Sequence, residues 1–359
     1  AGASGQSAGG GAGGLIPRSL RFNSGDDSYL SRQPSTASDR KKWTWSAWAK
    51  RSKLGGNQSL FTAAYAANET LLVFDNSNRL VFWNFVSGSY AGQKTSTAVF
   101  RDCSAWYHIT LVWDSGNSTA ADRIKIYVNG ARIDTFSTSV DPAQNTESIV
   151  NDVRPHRIGD YSENASYNLD GYLADVHFID SQALAPTDFG ETNTDNLWVP
   201  KAFAGTYGPA VNQSQTWSSG VTTALRSGDP ATKGFDGDIS TSAVVDATDA
   251  IMNVDFSNIT VNSKIEVIGQ DGFTTPNCSV TVGGTTTTAG GDPNTGITNN
   301  SGGTVPRVFN VSGTLTNIKI GKINSGRTRL SQVIVDGKIL VDSGVTVADN
   351  SFRLDFADN

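Results

Sequence analysis

Two cysteines, Cys103 and Cys278, are all that the 359-residue chain holds, and they lie far apart. So few thiols exclude a disulfide framework, and no Cys or His group has zinc-ligand spacing. Two reduced, packed thiols are expected. Charge is also sparse: 17% of residues are charged, the net charge is −6, and no Lys/Arg block stands out. Nucleic acid is therefore not expected as a partner, because neutralising phosphates takes a basic face. No apolar run approaches the roughly 20 residues of a membrane-spanning helix, so no membrane insertion is expected. The first residues lack the basic region and apolar core of a secretory leader. A protein made in the cytoplasm and not secreted is expected, which makes the N-x-S/T triplets at Asn57, Asn68, Asn117 and Asn164 chance matches. The chain has one Met but 37 Gly, with Ser, Thr and Asn abundant. That composition suits short strands joined by polar turns and suits long helices poorly.

Strand signals follow one another closely. KWTWSAWAKR places Trp43 and Trp45 on one face and Trp48 on the other. LLVFDNSNRLVFWNF reads as a hairpin turning at Asp75-Asn76-Ser77-Asn78. WYHITLVWD points Tyr107, Ile109, Leu111 and Trp113 one way. RIKIYVNGARI alternates Ile124, Ile126 and Val128 against Arg123, Lys125 and Tyr127, then turns at Asn129-Gly130. LDGYLADVHFIDSQALAPTDFG, Leu169 to Gly190, reads as a buried strand followed by a short capped turn. Beyond Gly208, SKIEVIG, SVTVGG, TNIKIGKI and LSQVIVDGKILVDSG read as further strands, with Asp336-Gly337 as a hairpin turn. The fold class is all-β, built of sandwiches.

The Leu169–Gly190 stretch resembles the closing strand of laminin-G-like (concanavalin-like) jelly rolls. SLRFN, YLSR, WTWSAWAKRSKLG, FRDCSAWYHITLVWD, IKIYVNG and NLWVPKAFAGTYG resemble, in order, a version of that domain found in virion proteins of marine tailed phages (cyanophage type). ATKGFDGDISTSA, Ala231 to Ala243, resembles the early signature of discoidin-like (galactose-binding-like) β-sandwiches. SFRLDFADN resembles the segment that directly follows GTYG in the phage family. The resemblance thus implies four parts. Residues 1–18 form a Gly-rich docking arm and 19–208 a laminin-G-like jelly roll. Residues 209–350 form an inserted galactose-binding-like sandwich, and 351–359 return to the first domain. The ends of an insertion should lie close together. The family pattern continues beyond such an ending, so a truncated or processed chain is expected. The low-complexity stretch 1–14 should be a coil in isolation, ordered by a neighbouring subunit if at all.

The chemistry-bearing residues point away from catalysis. Gly5-Gln6-Ser7-Ala8-Gly9 fits a nucleophile elbow, and Gly9, Gly11 and Gly14 fit a dinucleotide fingerprint. Neither has the strand and helix that such motifs need. His108, His156 and His177 are scattered, and His108 and His177 sit on strands among apolar neighbours, as hydrogen-bonded structural histidines do. A glycanase needs two carboxylates across one cleft, whereas the odd spacing of Asp175 and Asp180 sends them to opposite faces. No enzyme activity and no catalytic residue is expected. In discoidin-like modules, residues matching Asp236 and Thr241 help to hold a structural calcium. Gln332 stands where that family often has a Glu, and on the residues alone Asp236 and Thr241 equally make an Asx-type turn. Trp83, Phe85, Tyr90, Trp198 and Trp217 are candidates for stacking on sugars, with Trp45, Trp106 and Trp113 read as core.

The resemblance implies a non-enzymatic virion protein: a tail fibre, spike or capsid-surface appendage that attaches to a host-surface glycan. It would sit at the virion surface, dock other virion proteins through the arm and form a homo-oligomer. The alternatives are a decoration or cement protein that binds only virion subunits and, further off, a glycan depolymerase.

Overall fold

A computed structural model describes residues 16–161, 165–239, 241–247, 250–269, 278–289, 306–321, 327–347 and 349–356. The Gly-rich stretch with Ser7, Gly9, Gly11 and Gly14 lies outside the described residues. The chain divides into two compact units, 1–208 with 349–359, and 209–348. Among the described residues no helix is long and apolar enough to cross a membrane.

The first unit packs two seven-stranded antiparallel sheets face to face. In one, Gly171–Asp180, Lys42–Arg51, Tyr107–Asp114, Ile124–Val128 and Ala131–Arg132 lie side by side. The free edge of Gly171–Asp180 takes Leu20–Phe22 along its first half and Phe352–Leu354 along its second. The other sheet runs Phe136–Val140, Ser89–Val99, Arg79–Val86, Asn68–Phe74, Gln58–Tyr65, His156–Ile158 and Leu30–Arg32. Period-2 alternation decides what lies between them. Trp43, Trp45, Trp113, Phe61, Phe82 and Phe178 fill the core, with Trp43 stacked on Trp113 at 6.4 Å and edge-on to Phe61 and Phe82. The Trp43 indole N–H finds the Ser148 hydroxyl at 2.9 Å, as a buried Trp requires. At Asn129-Gly130 both residues take positive φ (49° and 79°), the backbone of a two-residue hairpin turn.

Where the chain leaves the first unit and returns to it, the ends touch. The Ser351 hydroxyl accepts both the Gly208 N–H (2.7 Å) and the Asp180 N–H (2.8 Å). A Cβ on Gly208 would fall 2.6 Å from the Asp349 carboxyl carbon. Replacing residues 209–348 by a linker of a few residues is expected to leave the first unit cooperatively folded, because loop closure across so short a gap costs little. Circular dichroism and a melting curve of the excised chain check this, and a molten first unit would contradict it.

The second unit has a five-stranded sheet, in which Val211–Asn212 pairs in parallel with Lys338–Leu340, followed by Gln332–Val335, Ile265–Ile268 and Arg307–Phe309. A four-stranded sheet holds Met252–Val261, Gly313–Ile320, Cys278–Val282 and Thr285–Ala289. Phe235, Met252, Val267, Ile318 and the buried thiol of Cys278 share one core. Asp336 staples this unit. Desolvation works to raise its carboxyl pKa, but the backbone N–H groups of Asn262, Lys264 and Ser263 outweigh it and hold the group well below the usual carboxylate range.

Candidate functional site

The outer face of the second sheet of the first unit carries the most ligand-like surface. In Asn68–Phe74 and Arg79–Val86, Leu72, Phe74, Leu80 and Phe82 point into the core. The alternate residues Glu69, Leu71, Val73, Val81, Trp83 and Phe85 therefore face outward. A solvated sheet face has no use for Leu71, Val73 and Val81, yet all three are buried, packed with Trp83, Tyr161 and Tyr167. Tyr161 and Tyr167 come from the loop after His156–Ile158 and meet edge to face at 5.4 Å. Leu71 opposes Trp83 and Glu69 opposes Phe85, which in turn opposes Tyr90. Trp83 thus lies diagonal to Glu69, within reach of a long side chain. Its indole N–H donates to Glu69 Oε1 at 2.7 Å, and the Tyr161 hydroxyl donates to Oε2. Phe85 and Tyr90 continue the surface edge to face at 5.0 Å, and Tyr90 is 48% exposed. Desolvation, then the charge of Glu69 and the neighbouring Tyr90, push the Tyr167 hydroxyl pKa up. The result is an aromatic platform around one carboxylate locked in place by two donors.

The other sequence candidates fall elsewhere. Trp198 is half-buried over the outer face of the first sheet, its ring set against Gly130 and Gly190, where a Cβ would approach within 2.5 Å. Trp217 is 3% exposed, in the core of the second unit, with its indole N–H on the Asn212 carbonyl. It offers no face to a sugar, a correction to its reading as a stacking residue. Trp106, read as core, is only half-buried.

All three histidines are buried and hydrogen-bonded within the first unit. Trp198 donates its indole N–H to His108 Nδ1 (3.0 Å), so His108 Nε2 carries the proton and donates to Ser46 Oγ (2.8 Å). A ring in that tautomer cannot draw the proton from Ser46. Burial, and then His177, hold His108 at a pKa of about 3. Burial lowers His156 to about 4, and its Nε2 accepts the Asn151 N–H. His177 lies between the Tyr207 hydroxyl (2.8 Å) and Asp175 (3.1 Å), and Asp175 also receives Arg353 at 2.9 Å. A bulge between Ala174 and His177, with Asp175 at φ 45°, adds a residue to this strand. Contacts rather than spacing therefore place the two acids. Asp175 bonds His177 and Arg353, while Asp180 bonds Asn151 and the Asn350 N–H. They do not flank a common cleft.

In the second unit Asp236 and Thr241 do come together. Thr241 Oγ1 lies 2.6 Å from Asp236 Oδ2, 3.0 Å from the Lys233 carbonyl and 3.2 Å from the Asp238 carbonyl. A hydroxyl has one proton for these three acceptors, and such a set of hard oxygens fits calcium. Asp236 Oδ1 also accepts the Asp238 N–H at 2.9 Å, an Asx-type turn. Gln332 donates to the Gly237 carbonyl at 3.0 Å, bracing the loop without adding charge. Among the described residues no three His, Cys, Asp or Glu side chains gather as a metal set.

Residues 23–188 match the family profile described as the concanavalin A-like lectin/glucanases superfamily, Laminin_G_3 type. No curated protein sequence matches the chain. Among solved structures, the heptameric SAP-like pentraxin of Limulus polyphemus is 16% identical, with a TM-score of 0.34, over 48% of this chain and 75% of its own. Domain 4 of AbnA, an extracellular arabinanase from Geobacillus stearothermophilus solved with arabinotriose, is 18% identical (TM-score 0.36, 51% and 81%). Domains LG4-5 of the mouse laminin alpha1 chain are 11% identical (TM-score 0.35, 98% and 85%). With its two packed antiparallel sheets and this profile match over residues 23–188, the first unit has a laminin-G-like (concanavalin-like) fold.

Proposed function

We propose that the chain is a non-enzymatic virion-surface protein that attaches to a host-surface glycan through the aromatic platform of its first unit. The observation that carries the glycan reading is the Trp83–Glu69–Tyr161 arrangement with Phe85, Tyr90 and Tyr167 around it. Sugar rings lay their C–H faces on aromatic rings while their hydroxyls seek fixed acceptors. The platform supplies both on a rigid sheet. The virion setting rests on the sequence resemblance to marine-phage proteins, with the Gly-rich arm as the docking strap to other virion subunits and a homo-oligomer as the working form. The second unit is read as the galactose-binding-like insertion. Asp236, Thr241 and the Lys233 and Asp238 carbonyls would hold its calcium, which would stiffen that loop. The uncharged, exposed edge strand Phe136–Val140 favours a second reading, cementing of neighbouring subunits, since such an edge can pair with another chain.

Affinity electrophoresis against soluble polysaccharides tests the glycan reading. Retardation by at least one of them is expected, and Trp83→Ala or Tyr90→Ala should weaken it by about tenfold or more, as loss of an aromatic anchor does. A chain that no polysaccharide retards would leave the cementing reading.

A further inference from the structure

The platform carries a charge preference as well as a shape. We infer that it takes uncharged glycans and turns acidic ones away, with Glu69 as the residue that decides. This rests on the glycan reading above and names the ligand class of that same site.

Glu69 stands on the outward face, opposite Phe85 and diagonal to Trp83. Its two oxygens are held by the Trp83 indole N–H at 2.7 Å and the Tyr161 hydroxyl. A carboxylate oxygen accepts two hydrogen bonds, so each oxygen keeps one lone-pair direction for a ligand. That direction accepts and cannot donate, which suits a sugar hydroxyl. Among the described residues no Lys, Arg or His forms an ion pair with Glu69. Arg157, two strands away, is tied to Asp160 and lies over the Tyr29 ring at 4.4 Å. Trp83, Phe85, Tyr161 and Tyr167 are half-buried, which thins the water that would screen a charge beside them. The Tyr167 hydroxyl pKa is raised first by desolvation and then by the charge of Glu69, in keeping with a carboxylate set close among the rings. A uronate or sulfate laid on the rings would bring a second negative charge beside Glu69, where Arg79 of the same strand as Trp83 and Arg157 are already paired with Asp75 and Asp160, and like charges at close quarters are strongly disfavoured. Aromatic stacking itself makes no such distinction. The selectivity therefore belongs to Glu69.

The test titrates the full chain in affinity gels against dextran, mannan and galactan on one side, and alginate, polygalacturonate and heparin on the other. The wild type should be retarded by a neutral polysaccharide and at least about tenfold less by every acidic one. Glu69→Gln keeps an oxygen for the Trp83 N–H and a nitrogen that can donate to the Tyr161 hydroxyl. It should raise the acidic-to-neutral affinity ratio by about tenfold. Equal or stronger retardation of the wild type by an acidic polysaccharide, abolished by Tyr90→Ala, overturns the charge preference and leaves the glycan site standing. An unchanged ratio in Glu69→Gln overturns the role of Glu69. No retardation by any of the six removes the glycan reading, and the preference with it.

Discussion

Between pH 7.5 and pH 5 the two buried imidazoles of the first unit should withdraw about 4 kcal/mol of stability, offset in part by buried carboxyls, measured as urea unfolding at the two values. The cause is two imidazoles kept neutral by burial. His108 is lowered to about 3 and His156 to about 4, against an ordinary pKa near 6.5 in the unfolded chain. A group with a depressed folded pKa contributes stability above its unfolded pKa and loses it as the pH falls. Here the loss begins near pH 6.5 and by pH 5 reaches about 2 kcal/mol for each ring. Asp180 works the other way. Burial raises it to about 6, so the folded state gains about 1.4 kcal/mol as it takes up its proton over the same interval. Asp39, also raised by burial, adds to that offset. His108→Gln presents an oxygen to the Trp198 N–H and a nitrogen to Ser46, and it should remove about half of the imidazole contribution to the slope. A pH slope that His108→Gln leaves unchanged would contradict the buried neutral tautomer of that ring.

Trp43→Ala should cost the first unit about 3–5 kcal/mol, the usual result of emptying a large buried aromatic site. Trp43 is fully buried against Phe61, Phe82, Trp113 and Phe178. Rings already stacked at about 6 Å have little room to collapse into the void. The Ser148 hydroxyl would also lose its indole donor while still bonded to the Arg40 and Val150 carbonyls. Denaturant unfolding of the variant gives the figure, and a change below 1 kcal/mol would mean that this core is loosely packed.

Local pattern explains what the sequence discloses and what it hides. Buried Ile124 and Ile126 against half-buried Lys125 announce a strand because alternate residues meet different environments, while Trp43 and Trp45 alternate with Thr44 and Ser46 on a strand buried on both faces. Asp336-Gly337 announces a turn because both residues accept positive φ, 48° and 80° here. The capped turn after the closing strand is the short helical turn Pro186–Asp188, whose Asp188 carboxylate takes the Ala185 N–H. The platform was legible only in part. Trp83, Phe85 and Tyr90 stand out by residue type. Glu69 and Tyr161 meet across 92 residues, and no local signal announces a loop folding back over a sheet. One clue was available: Leu71, Val73 and Val81 alternate with core residues, so the outward face is too apolar for water alone. Trp217 misled because QSQTWSSG is polar, while a tight helical turn, Trp217–Gly220, still buries the ring. The bulge at Asp175 leaves no mark in the spacing, so parity there could not be trusted.

Ligand contact should occur on the outer face of the second sheet of the first unit. Hydrogen exchange read by mass spectrometry, with and without the retarding polysaccharide, tests it most directly. Slowed exchange is expected in peptides that cover 68–73, 81–93, Tyr161 and Tyr167, with 182–208 unchanged. Protection confined to 182–208 or to residues 209–348, with the platform peptides unaffected, would contradict it.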